Sequence, residues 1–325
     1  MKPAMNPFIL YVARRLALMI PTVFGILLVT FTVIQLVPGG PVEQTISALE
    51  RQQQGMVMAG AARVTAIPPE ESAALTQLYG LDRPAYERFW IMTKGFFSGD
   101  LGQSFFYQQS VARLIAERLP ISLMIGGWVF LLTYLIAIPL GIAKAVRHGT
   151  AFDLATTVAL LILYAVPGFV LGVLLLMHFG SPGPWELLMP VICIAAGNLG
   201  LTALLTKNSL LEEAQKRYAM AARAKGLSMP QVMQRHLLRN AILPVVTGLP
   251  TAFMGAFFTG SVLIETLFSI QGLGLLGFEA VMRRDYPVVM GSLFVFTLIG
   301  LLARLLTDMM LVALDPRIGF ERHRT

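Results

Sequence analysis

Six apolar runs, each about as long as a helix needs to cross the roughly 20-residue hydrocarbon width of a bilayer, dominate this 325-residue chain. They run from about Leu16 to Val37, Ile121 to Val146, Leu154 to Met177, Leu187 to Leu205, Val245 to Phe268 and Val288 to Leu311. None alternates with period two over about ten residues, as a lipid-exposed barrel strand must. A chain built this way can satisfy its backbone inside a membrane only as helices, so the expected fold is an all-α membrane protein with six transmembrane helices. Only 13% of the residues are charged, about half the share usual in soluble domains. Prolines at 21, 139, 167 and 250 fall inside the runs and are expected to kink them.

Arg14 and Arg15 precede the first run in the manner of a secretory signal. The apolar core is too long, and no small-x-small cleavage site follows, so an uncleaved helix is expected. Basic residues then set the orientation. Lys2, Arg14 and Arg15 hold the N-terminus inside; Lys144 and Arg147 mark a short inner connection; Arg317, Arg322 and Arg324 hold the C-terminus inside as well. The segment between the fourth and fifth runs carries seven Lys/Arg from Lys207 to Arg239 and is the strongest cytoplasmic signal. The expected organisation is an N-terminus and first helix over residues 1–37, an extracytoplasmic segment over 38–118 containing short helices, a five-helix core over 119–316 with an inner loop at 207–240, and a cytoplasmic tail at 317–325.

The formal charge of +7 sits between apolar runs and faces lipid headgroups. No basic patch interleaved with aromatics suggests nucleic acid. One cysteine, Cys193, excludes an internal disulfide, and the four histidines lack ligand spacing, so no metal is expected. No phosphate-binding G-x-x-x-x-G-K-[ST] occurs. "GLGLLG" at 272–277 satisfies G-x-G-x-x-G, but without a strand-helix-strand setting it does not make a dinucleotide site.

The inner loop holds the most specific pattern, "RYAMAARAKGLSMPQVMQRHLLRNAILP" from Arg217 to Pro244. A helix from Leu211 to about Lys225 is expected, closed at Gly226 by a left-handed cap. A second helix starts at Ser228, with Gln231 completing a capping box. In it Val232, Met233, His236 and Leu237 are expected to share one face. The alanines 219, 221, 222 and 224 make the first helix narrow enough to enter a groove on another protein, with Tyr218, Arg223 and Lys225 framing it. A solvated amphipathic loop on the inner leaflet is the rival reading of the same residues.

Glu265 lies near the outer end of the fifth run, where a carboxylate must be paired or hydrated. It can cap the amides of "FSIQGLG", pair with Arg283 or Arg284, or line a pathway. Asp285 with Pro287 is expected to fix the entry to the last run. Glu265, Arg283, Arg284 and Asp285 are thus gate or scaffold candidates.

"AARAKG" followed by "HLLRNAILP" resembles the cytoplasmic coupling motif of the permease subunits of ATP-binding-cassette importers, with Met220 standing where the general motif has Glu, then Ala221, Ala222 and Gly226. The Ala-Arg-Ala-x-Gly form with a later Arg-Asn-Ala-x-x-Pro is similar to the oligopeptide and dipeptide branch. "RRLALMIPTVFGILLVTF", "LYGLDRP", "GDLGQSF", "ERLPISL", "ETLFSIQGLG", "RRDYPVVMG" and "LDPRI" match that branch in order along nearly the whole chain. "VPGGPV", "TKNSLLEE" and "FTGSVLIETLFS" look closest to its Yej-type members, although the outer loop at 179–186 is shorter than in that subgroup.

The resemblance implies a type I importer permease of the bacterial inner membrane, moving oligopeptides or peptide-like compounds such as microcin C. It also implies that Tyr218, Ala221, Ala222, Arg223, Lys225 and Gly226 couple the chain to ATPase subunits. The implied partners are a second permease subunit, two cytoplasmic ATPases that bind the ATP and Mg2+, and an extracytoplasmic peptide-binding protein. The chain itself would catalyse nothing and hold no cofactor. A secondary transporter or channel, the alternative, needs ionisable groups deep in the spans or an inverted repeat.

Overall fold

A computed structural model describes residues 7–36, 82–180, 187–258 and 261–314, and these are helical almost throughout. The single bridge among them joins Gln103 and Ser110. Helix α1 spans Pro7–Leu36, α2 Ala85–Phe97, α3 Val111–Val146, α4 Ala151–Ala165, α5 Gly168–Phe179 and α6 Leu188–Ala214. The elements of the 207–240 loop are α7 (Arg217–Ala224), α8 (Met229–Val232), a π-helical turn (Met233–Leu237) and α9 (Leu238–Ala241). Then come α10 (Leu243–Thr247), α11 (Leu249–Phe258), α12 (Ser261–Leu267), α13 (Leu273–Met282) and α14 (Tyr286–Leu314). The first part of the expected extracytoplasmic segment, 38–81, and most of the 179–186 loop lie outside the described residues, as does the tail at 317–325.

Four stretches are long and apolar enough to cross a membrane: Leu10–Leu36, Val111–Val146, Leu188–Ala214 and Tyr286–Val312. They overlap the first, second, fourth and sixth expected spans. The third is broken. Its halves α4 and α5 meet at a 90° bend, because Pro167 lacks an N–H and forces Val166 into extended backbone (φ −80°, ψ 116°). The fifth run is divided at Gly248, between α10 and α11, and residues 259–260 within it lie outside the described residues. Pro244 and Pro250 each stand in the first turn of a new helix, the position where a missing N–H costs nothing. Pro21, Pro120 and Pro139 are carried within α1 and α3.

The chain divides into two units, Met1–Leu119 with Leu276–Leu301 and Pro120–Leu275 with Leu302–Thr325. In the first, α1 meets α2 through Phe24, Phe31, Phe89 and Trp90, and Phe96 packs on Phe294 of α14 with ring centroids 5.2 Å apart. In the second, α6 is the central element. Its Met189, Val191, Cys193, Ile194 and Ala195 form one core with Ile125, Val129, Ile264, Phe268 and Ile270. Its other end, at Leu210, forms another with Ala145, Ala219, Val232, Met233, Leu237 and Ala241. That second core is the platform on which the helices of the 207–240 loop stand.

Candidate functional site

Helix α7 is a two-turn knuckle with one buried side and one bare side. Ala219 is 1% exposed, and Ala222 packs on the platform core beside Leu227. Met220, Ala221, Arg223, Ala224 and Lys225 are exposed. Of the expected contact residues, then, Ala221, Arg223, Lys225 and Gly226 lie on the open surface, while Ala222 faces inward. The knuckle closes in a Schellman motif: Gly226 N–H donates to Arg223 C=O at 2.9 Å and Leu227 N–H to Ala222 C=O at 3.4 Å. Gly226 holds φ +88°, a conformation that disfavours any Cβ. Three residues later the chain is helical again behind the Ser228/Gln231 capping box, in which Ser228 N–H donates to Gln231 Oε1 at 3.0 Å.

Two local expectations are corrected. The helix expected from Leu211 to Lys225 is interrupted, since α6 ends at Ala214 and Lys216 takes extended backbone (φ −72°, ψ 150°) before α7 begins. His236 is exposed while Val232, Met233 and Leu237 are buried. The cause is the π-helical turn at Met233–Leu237, whose i→i+5 winding carries position 236 away from the face an α-helix would give it.

The interruption at Lys216 is held by groups that sequence reading passed over. Glu213, buried at the end of α6, accepts from Lys216 Nζ and from the Tyr218 hydroxyl. Asn240 Nδ2 donates to that same hydroxyl at 3.2 Å, and Ser209 Oγ donates to Ala241 C=O at 2.7 Å. One chain of polar groups thus fastens α6, α7 and α9 together. Tyr218 keeps a partly exposed ring, but its hydroxyl works inward. The bond to Glu213 raises the Lys216 ammonium above its ordinary value, and burial, followed by that same carboxylate, raises the Tyr218 phenol. Both stay protonated through neutral pH. Their contribution is complete below the ordinary values near ~10 and is lost only as pH rises through the raised ones.

Beside this platform lies an ion cluster. Lys144, wholly buried, donates to Thr156 Oγ1 at 2.8 Å, Thr157 Oγ1 at 2.7 Å and Asp153 C=O at 2.9 Å. Asp153 receives Lys207 Nζ on both carboxylate oxygens at 2.8 and 2.7 Å, lies 3.1 Å from Lys144 Nζ and has His148 Nδ1 at 3.1 Å. The cluster joins the ends of α3 and α4 to α6. Lys144 served the sequence argument only as an orientation signal.

Glu265 is 4% exposed and caps a helix: its Oε2 accepts from Leu275 N–H, in the first turn of α13, at 2.6 Å. Gly272 makes room for this, since a Cβ there would stand 2.5 Å from the carboxyl carbon. Ser122 Oγ accepts the neighbouring Leu273 N–H at 2.8 Å. Gly272, the first glycine of "GLG", therefore serves a carboxylate cap.

Asp285, 1% exposed, accepts Ser104 Oγ at 2.5 Å and the N–H groups of Phe105 and Phe106 at 3.2 Å. Through it "RRDYP" is bonded to "GDLGQSF". Arg283 lies 3.7 Å over the Phe106 ring, and Tyr107 donates to Glu279 Oε2 at 2.5 Å. Burial and the Glu279 bond raise the Tyr107 phenol. Arg284 turns the chain between α13 and α14 at φ +54°. Asp285, Arg283 and Arg284 are thus brought together around one loop.

No group of three or more potential metal ligands clusters among the described residues. The arrangement is that of an all-helical, multi-pass membrane protein carrying a bare, rigidly based knuckle. The chain belongs to the family of inner membrane components of binding-protein-dependent transport systems, whose model matches residues 137–320. It is 41% identical to the peptidoglycan transport system permease protein YejB of Agrobacterium fabrum over 96% of its own length and 98% of that protein's. It is 38% identical to the inner membrane ABC transporter permease protein YejB of Escherichia coli O157:H7 over 96% and 99%, and 31% identical to the dipeptide transport system permease protein DppB of Escherichia coli K12 over the same shares. The chain is therefore an ABC importer permease, the non-catalytic membrane component of such a system.

Proposed function

We propose that this permease carries oligopeptides or peptide-like compounds across the inner membrane, including cell-wall peptides and antibiotics of the microcin C type, and that α7 is the handle by which ATPase subunits drive it. The names of the relatives, which cover dipeptide and peptidoglycan transport, support the substrate class. In this reading α7 faces the cytoplasm, six spans cross the bilayer with both termini inside, and the 38–118 segment lies outside. A second permease subunit, two ATPases holding ATP and Mg2+ and an extracytoplasmic binding protein complete the machine.

The observation that carries the coupling role is the combination of a bare outer face on α7 with a base locked by the Schellman turn and the Glu213–Tyr218–Asn240 chain. A lever must be stiff where it is mounted and open where it is pushed. An amphipathic helix resting on lipid would instead show a broad apolar outer face, and α7 shows Met220 among Arg223, Lys225 and two alanines.

Ala221 is the residue to test, because its side chain is exposed and its replacement leaves the platform intact. In the assembled importer, Ala221→Trp is expected to abolish peptide uptake and peptide-stimulated ATP hydrolysis at normal membrane abundance. A cysteine at the same position is expected to crosslink to the ATPase, against a background kept low by the burial of Cys193, the sole native cysteine. Unimpaired uptake by the tryptophan variant, with no crosslink from the cysteine variant, would remove α7 from the coupling path.

A further inference from the structure

Within the first unit a cavity of about 570 Å³ opens between the end of α1, α2 and the start of α14. That is the size of a small-ligand site. Its walls are apolar on one side, with Phe31, Ile34 and Ile91, and polar on the other, with Arg88, Asp82 and Asp100. Arg88 Nη2 donates to Gln35 Oε1 at 2.7 Å, yet its Nε is buried with no acceptor among the described residues. A buried guanidinium N–H left in this state is costly and fits an anionic oxygen from a ligand. Asp82 and Asp100 make no ion pair among the described residues, although Asp100 Oδ1 accepts the Gly102 N–H at 2.9 Å. The polar side therefore offers both a cation and carboxylates, a match for a group bearing phosphate and ammonium together.

The surroundings identify the source of such a group. Helix α1 exposes Leu18, Leu28, Val29, Val33 and Leu36 along its length, as a lipid-facing helix does, and Ile34 and Gln35 lie at its end. Helix α2 exposes Tyr86, Trp90 and Phe97, positions that fall on one face at helical spacing and form the kind of aromatic edge found where a bilayer meets water. The cavity thus sits at headgroup depth with an apolar wall leading from it.

We infer that this cavity binds a glycerophospholipid with an amine-bearing headgroup, its phosphate on Arg88, its ammonium toward Asp82 and Asp100, and the upper part of an acyl chain along Phe31, Ile34 and Ile91. The assignment is independent of which solute the permease moves.

Native mass spectrometry of the intact importer, exchanged into detergent that strips bulk lipid and then supplied with phosphatidylethanolamine or phosphatidylglycerol, tests it. The wild type is expected to retain phosphatidylethanolamine in preference to phosphatidylglycerol. Arg88→Ala, which removes a charged hydrogen-bond donor, and Ile34→Trp, which fills the apolar side from a half-exposed position, are each expected to cut that retention about tenfold. Should Arg88→Ala fail to accumulate, Ile34→Trp decides alone. Retention unchanged in the variants that assemble, or phosphatidylglycerol held as firmly as phosphatidylethanolamine, overturns the inference. Displacement of the lipid by dialanine, which bears the same two charges without an acyl chain, also overturns it and makes the cavity a peptide site.

Discussion

Asp153 receives Lys207 on both carboxylate oxygens and neighbours the wholly buried Lys144, so the consequence of removing it differs from that of removing its partner. Asp153→Ala leaves Lys144 without a counter-charge, and stranding a buried ion in this way typically costs about 3–5 kcal/mol. Lys144→Met leaves Asp153 paired with Lys207 and puts an apolar chain of similar length among α3, α4 and α6, a change that strands no buried charge and so escapes the larger penalty. The purified complex is therefore expected to lose thermal stability sharply with Asp153→Ala and little with Lys144→Met, measured as midpoints of heat-induced inactivation. Equal losses would show that the cluster does not act as an ion pair. Sequence reading could not find it: Lys207 and Asp153 stand 54 positions apart, and nothing local to either announces the other. The same holds for Asn240 and Tyr218, 22 positions apart.

The knuckle and its cap were legible because their signals are local. Gly226 ends α7, and Ser228 with Gln231 starts the next helix, each within one turn of the residue that betrays it. What was not legible depends on packing: the break at Lys216 follows from Glu213 being drawn into the interior, and the π-turn at 233–237 belongs to the burial of Val232, Met233, Leu237 and Ala241 in one core. The structure also narrows the reason Gly226 matters to the left-handed cap itself. Nothing lies within 4 Å of where its Cβ would be, so a side chain there meets no wall, and the penalty is one of backbone conformation. Gly226→Asn, which tolerates the left-handed region, is expected to retain most uptake. Gly226→Ala should lose about 1–2 kcal/mol of knuckle stability, and Gly226→Val more, since β-branching is least compatible with positive φ. Uptake and ATPase assembly falling in the order Asn, Ala, Val would mark a conformational requirement. Ordering by side-chain size alone, with Asn as damaging as Val, would point to a steric one.

At the level of the assembled chain, the apolar runs announced the membrane correctly, yet two of the six runs are not single helices. Hydropathy records that a stretch is apolar and is blind to whether one axis runs through it. The proline at 167 bends one stretch by 90°, and a turn at Gly248 divides another. Topology must therefore be tested at points anchored by structure. Ala224 is exposed on α7, and Phe106 is exposed on the loop held by Asp285. The Lys/Arg excess at 207–239 predicts the first inside, and the second belongs to the segment expected outside. Because Cys193 is buried, single substitutions can be probed without removing it. In intact spheroplasts a membrane-impermeant maleimide is expected to label Phe106→Cys at once, and Ala224→Cys only after permeabilisation. Labelling of Ala224→Cys in intact cells would place α7 on the outer face, where no ATP-hydrolysing subunit could reach it. Protection of both sites would instead break the assignment of the 104–107 loop, leaving α7 where the basic residues put it. The two positions thus test the two halves of the orientation separately.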